Sequence, residues 1–127
     1  MSPTKPAKKS CIMIVDDEPS ILGVLQEFRS REGYKVLTAK NGREAIDKAA
    51  GQKIDLVLLD MAMPVLNGTE TMIELKKLKP EITIIMMTAY RDAEKVVEAL
   101  KLGASDCIFK PFDLNNIRQS IKDRLSE

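Results

Sequence analysis

Five side chains capable of chemistry stand just after short apolar runs. Asp16 and Asp17 follow Cys11-Ile12-Met13-Ile14-Val15, Asp60 follows the run 54–59, Thr88 follows 82–87 and Lys110 follows 105–109. Three carboxylates gathered in one cleft repel one another and raise their own pKa values unless a cation sits among them. The chain has no histidine, and oxygen-only ligands point to Mg²⁺, with Mn²⁺ as the alternative. Such an ion keeps several waters and often completes its shell with a phosphate oxygen, so the site calls for phosphate. Lys110 supplies a positive charge and Thr88 a hydroxyl, which together with the metal can balance the charge of a transferring phosphoryl group. A carboxylate in such a site can act as nucleophile and give an acyl phosphate. Asp60 is the natural choice, because it follows its strand alone while Asp16 and Asp17 are paired for metal work.

These residues meet only if the elements behind them bring them to one place. Short runs rich in β-branched residues alternate with longer amphipathic stretches, the pattern of an α/β domain. Strands are expected at 11–15, 36–39, 54–59, 82–87 and 105–109. The first helix starts at Asp16-Asp17-Glu18-Pro19, carries Ile21, Leu22, Leu25 and Phe28, and ends at Gly33. Asn41-Gly42 reads as a turn before a helix lined by Ala45, Ile46 and Ala49 and closed by Gly51. A third helix spans 69–79 with the stripe Met72, Ile73, Leu75 and Leu78, and a fourth runs from about 92 to 102. Asp113 caps a fifth, with Leu114, Ile117, Ile121 and Leu125 on its apolar face. Right-handed crossovers then favour a doubly wound, five-stranded parallel sheet of flavodoxin-like (βα)5 type, in the order 2-1-3-4-5, with helices on both faces. Ligands in such a sheet bind at the carboxyl ends of strands 1 and 3, where the acids lie. The separations of 44, 28 and 22 residues between Asp16, Asp60, Thr88 and Lys110 match two, one and one βα units. Singly these residues have bland readings as caps, turn hydroxyls and solvated charges; their convergence on one sheet edge is what carries the chemistry.

Composition sets the remaining bounds. A chain of 127 residues, 44% hydrophobic and 31% charged, fits one ordinary domain with a core. The lack of histidine removes Ser-His-Asp and Cys-His catalysis, histidine-ligated zinc and a phosphohistidine carrier role. Twenty Lys and Arg against nineteen Asp and Glu give a net charge of +1, short of the basic excess of nucleic-acid binders. No stretch approaches the roughly 18 apolar residues of a membrane span and no leader is evident, so the cytoplasm is the expected location. Residues 1–10, with Lys5, Lys8 and Lys9, read as a disordered basic tail. Cys11 and Cys107 fall on strands three positions apart, roughly 14 Å at about 4.8 Å per strand. That is beyond disulfide reach, so both are expected reduced. Val96, Val97 and Leu100 suit either core packing or a partner groove, and Met61, Met63, Met86 and Met87 read as packing residues.

Ile14-Val15-Asp16-Asp17-Glu18, Leu58-Leu59-Asp60-Met61 with Met63-Pro64 and Gly68, Met87-Thr88-Ala89, and Lys110-Pro111-Phe112 resemble the receiver domain of bacterial two-component response regulators. The resemblance spans residues 11–127. It implies that Asp60 accepts a phosphoryl group from a phosphohistidine on a sensor histidine kinase or a histidine phosphotransfer protein. It also implies that Asp17, Asp60 and the backbone carbonyl of Ala62 bind Mg²⁺, with Asp16 acting largely through water. Thr88 and Lys110 would contact the phosphoryl oxygens, and the Lys110-Pro111 bond would be cis. The chain would then be a phospho-acceptor that assists its own phosphorylation, not a turnover enzyme. The new charge of about −1.5 to −2 would draw Thr88 inward, reshaping the face formed by the fourth helix, last strand and last helix toward an effector protein or output domain.

Two positions depart from the family. Cys107 stands where an aromatic ring usually swings between exposed and buried, and Asn67 stands where Asp is common, although Gly68 preserves the turn. Tyr90 and Ala62 flank the phosphorylation site and are expected to help set how fast water reaches the acyl phosphate. An aspartyl phosphatase of the dehalogenase-like fold would need a second acid two residues after the nucleophile, where this chain has Ala62. A receiver-like module without phosphate chemistry would be expected to have lost acids that are all present here. The chain ends about where the fifth helix should, leaving both a free-standing receiver and an excised piece of a longer regulator open.

Overall fold

A computed structural model describes residues 10–16, 34–61, 68–88, 93–109 and 114–125. Five strands, β1 (Cys11–Val15), β2 (Lys35–Ala39), β3 (Leu56–Asp60), β4 (Thr83–Thr88) and β5 (Asp106–Phe109), form one parallel sheet in the order β2-β1-β3-β4-β5. Four helices are described: α1 (Gly42–Gly51), α2 (Gly68–Leu78), α3 (Ala93–Leu102) and α4 (Leu114–Leu125). The sheet order and the parallel pairing are those the sequence implies. The helix anticipated between β1 and β2, the tail 1–9 and Asp113 lie outside the described residues.

Side chains alternate across a strand, and here both sets are apolar because both faces of the sheet are covered. Met13 and Val15, Val57 and Leu59, and Ile84 and Met86 project to one face, where Ala45 and Ala49 of α1, Met72 and Leu75 of α2 and Ala99 of α3 close over them. Ile12 and Ile14, Leu56 and Leu58, and Ile85 and Met87 project to the other, where Ile117 and Ile121 of α4 pack. All five residues of β1 and of β3 are buried. The four-residue spacing of Ile117, Ile121 and Leu125 on α4 therefore reads correctly into structure, with Leu125 half-buried at its end.

One helix stripe narrows an open sequence reading and another departs from its reading. On α3 the helix approaches the sheet through the small Ala99, while Val97 and Leu100 remain 47% and 44% exposed. Core packing therefore does not explain those two residues. On α2, Leu78, the last residue of the helix, is exposed, and the polar Thr71 is buried. Asn41 is a helix cap rather than a bare turn residue. Its Oδ1 accepts from the Glu44 amide (2.9 Å), and Glu44 Oε1 accepts in turn from the Lys40 amide (2.7 Å). This is a capping box displaced by one residue. The Lys40 amide is the main reason the Glu44 carboxyl is held below its ordinary pKa.

Polar ties fasten helices to strands. Lys48 Nζ of α1 donates to the Thr38 carbonyl of β2, and Lys76 Nζ of α2 donates to the Ile82 carbonyl (2.7 Å). On α4, Ser120 Oγ donates to Asp106 Oδ2 (2.8 Å) and Arg124 donates to the Ser105 carbonyl (3.0 Å). At the base of the sheet, Asp55 Oδ2 accepts from the Cys11 amide (2.8 Å), and the Ser10 carbonyl accepts from the Lys35 amide (3.0 Å).

Burial on α4 and exposure on α3 make opposite forecasts. Ile121→Ala removes a fully buried side chain and should cost about 2–5 kcal/mol in urea unfolding. Val97→Ser should change stability by no more than about 0.5 kcal/mol.

Candidate functional site

The carboxyl ends of the three central strands gather the acids and the hydroxyl. The Asp16 amide donates to the Ala39 carbonyl (3.1 Å), extending the β1–β2 ladder one residue past β1. The Met61 amide donates to the Met87 carbonyl (2.9 Å), so Asp60 lies inside the β3–β4 ladder rather than beyond it. Val15 pairs with Leu59, which brings Asp16 level with Asp60 on the adjacent strand. Neighbouring strands lie about 4.8 Å apart. Asp60 pairs with Met87, and Thr88 ends β4 one residue further on.

All three side chains are nearly out of water. Asp16 is 7%, Asp60 4% and Thr88 1% exposed. Two carboxyl groups thus stand on adjacent strand ends with little water around them, an arrangement of oxygen donors that suits a hard divalent cation. The donor set is oxygen only, which suits Mg²⁺. Asp17, Ala62 and Lys110 lie outside the described residues, as do Asn67, Tyr90 and the Lys110-Pro111 bond. Among the described residues no group of three metal-ligating side chains converges. The structure thus brings together Asp16, Asp60 and Thr88 from the five side chains singled out in the sequence.

Two features, one at the site and one at the start of β5, carry no sequence signal strong enough to reveal their role. Gly68 is the first residue of α2, pressed against the Asp60 and Met61 backbone. Asp106 beside Cys107 is held by Ser120, 14 residues away; Ser120 shares the buried face of α4 with Ile117 and Ile121, a polar residue on an apolar stripe. Cys107 packs partly into the core under the α1–α3 face. Burial pushes its thiol pKa up, and the charge of Asp106 adds to the rise. Cys11 and Cys107 are both free thiols, as strands three positions apart require.

The response regulator receiver domain family matches residues 12–122. The chain belongs to that family. Curated relatives include the sporulation initiation phosphotransferase F of Bacillus subtilis, 40% identical over 114 residues, covering 90% of this chain and 92% of the relative. The transcriptional regulatory protein ZraR of Escherichia coli is 40% identical over 115 residues, covering 91% of this chain but 26% of ZraR. The receiver thus spans about a quarter of that relative's length. Among solved structures, a CheY-like receiver domain protein from Methanospirillum hungatei is 33% identical with a TM-score of 0.86, covering 93% of this chain and 94% of that one. Receiver domains are phospho-accepting signalling domains of two-component systems, and as a class they bind Mg²⁺ in an acidic pocket. No helix among the described residues is long and apolar enough to cross a membrane.

The raised thiol has a measurable consequence in this receiver. Cys107 should react with iodoacetamide at pH 8 more slowly than a free cysteine, and Asp106→Asn should speed it. Because the folded pKa lies above the ordinary value of about 8.5, the folded state favours the neutral thiol. That contribution is complete below about pH 8.5 and is lost as the pH rises through the folded value.

Proposed function

We propose that this receiver takes a phosphoryl group onto Asp60 and uses the resulting aspartyl phosphate to switch partner binding. The observation that carries the reading is the pair of buried carboxylates, Asp16 and Asp60, level on adjacent strand ends with the Thr88 hydroxyl on the next strand. A carboxylate oxygen of Asp60 attacks phosphorus, and the bond from phosphorus to the leaving nitrogen of a phosphohistidine breaks as that imidazole departs. The donor is a sensor histidine kinase or a histidine phosphotransfer protein. Asp16, Asp17, Asp60 and the Ala62 carbonyl are the ligands assigned to Mg²⁺, which supplies charge neutralisation for the phosphoryl oxygens when bound. Thr88 donates a hydrogen bond and Lys110 a point charge to the same oxygens.

The burial of Asp60 supports this assignment. Electrostatic stabilisation is worth more where water is excluded, and a nearly buried acyl phosphate is shielded from hydrolysis. The added charge of about −1.5 to −2 falls beside Thr88 at the end of β4. β4 pairs with β5, and α4 is tied to β5 through Asp106 and Ser120. The neighbours of Thr88 are therefore positioned to pass a movement to the α3–β5–α4 face, where an effector protein or output domain would read it. Cys107 removes the aromatic swing from that route, so displacement of β5 and α4 carries the change. The cytoplasm is the compartment in which these partners meet.

Intact-mass spectrometry after incubation with Mg²⁺ and acetyl phosphate tests the assignment. The native chain should gain a single phosphoryl adduct that EDTA prevents and Asp60→Asn abolishes; a persisting adduct in Asp60→Asn, or none on the folded native chain, would sink it. Lys110→Ala should slow adduct formation by about 10²–10³-fold. Tyr90→Ala and Ala62→Asn should each alter the rate at which the adduct decays.

A further inference from the structure

Gly68 lies on the main chain of the residue assigned as phosphoryl acceptor. Its amide donates to the Met61 carbonyl (3.1 Å). A Cβ added at this position would fall 2.5 Å from the Asp60 carbonyl oxygen, 2.6 Å from the Met61 Cα and 3.2 Å from the Asp60 carbonyl carbon. All three are backbone atoms at a strand end, and none can swing aside as the tip of a side chain can. The φ of Gly68 lies outside the left-handed region, so contact rather than torsion demands glycine here. From the opposite side, the Met61 amide is fixed to the Met87 carbonyl of β4 and the Met61 side chain packs into the core. The Asp60 backbone is thereby held between the β4 ladder and the first turn of α2.

We propose that Gly68 is a positioning residue for phosphoryl transfer. By letting α2 close onto the Asp60–Met61 backbone, it sets the level of the Asp60 carboxylate against Asp16 on β1 and Thr88 on β4. Any side chain at position 68 must lift either the helix or the strand end, and transfer reactions are sensitive to misplacements of about 1 Å. Two other glycines supply contrasts. Gly51 has open space around its Cβ position, and Gly103 has φ +129° and lies against the Lys76 stem. Gly103→Ala is therefore strained for reasons remote from the strand ends.

The inference rests on Asp60 being the acceptor, and the experiment separates the two. Initial rates of adduct formation with acetyl phosphate would be measured at saturating Mg²⁺ for the native chain, Gly51→Ala, Gly103→Ala and Gly68→Ala, alongside unfolding midpoints. Gly68→Ala should lower the maximal rate about 10²-fold while leaving the donor concentration at half-maximal rate largely unchanged. Gly103→Ala should lose stability yet keep the native rate, and Gly51→Ala should keep the native rate with no loss of stability. A folded Gly68→Ala that phosphorylates at the native rate would overturn the proposal, whereas no adduct on the native chain would instead remove Asp60 as acceptor. Should Gly68→Ala fail to fold, the amide resonances of the native chain decide. Phosphorylation should shift the Gly68 amide and leave that of Gly51 in place, and an unmoved Gly68 would overturn the positioning role.

Discussion

Two carboxyl groups have to be kept side by side and nearly dry at the ends of β1 and β3, and that requirement organises much of the molecule. Carboxylates in water separate freely; Asp16 and Asp60 are carried by strands whose register is locked from both faces. A one-residue slip would turn every buried side chain to the opposite face. With both faces of β1 and β3 closed, that slip exposes no solvent-ready surface, so register here depends on shape and on end contacts. The Asp16 and Met61 amides, each bonded across to the next strand, supply such contacts at the end that matters.

The sheet itself was legible in the sequence because its periodicity is coarse. Each βα unit has a characteristic length, each buried strand is a nearly continuous apolar run, and each strand end is marked by a polar residue. That sufficed to place Asp16, Asp60 and Thr88 on one edge, and α4 declared its face through Ile117 and Ile121. The helix faces were less legible wherever size outweighed hydrophobicity. On α3 the buried contact falls on Ala99, a weak hydrophobe whose value is its smallness, while the stronger signals of Val97 and Leu100 point outward.

Other features were illegible for a different reason. The contact that makes Gly68 necessary is with the main chain of Asp60, eight residues earlier, and no composition rule records the distance between a helix start and a strand end. The Asp106–Ser120 bond likewise depends on where α4 lands on β5. Asn41-Gly42 has the letters of a turn, and the outcome as a cap followed from Glu44 lying three residues on, which sequence could have supplied.

The tie between Lys48 and Thr38 has a meaning beyond fastening a helix. β2 is an outer strand of the sheet. Its Ala39 carbonyl turns inward to β1, so the Thr38 carbonyl, one residue earlier, turns outward. An outward row of unpaired backbone groups is a template onto which a strand from another molecule can be added. Lys48 occupies the acceptor at Thr38 and sets an ammonium group in the path of any incoming strand. On this flank the fold resists self-templated growth, so that a crowded population of identical receivers can stay separate without their sheets fusing.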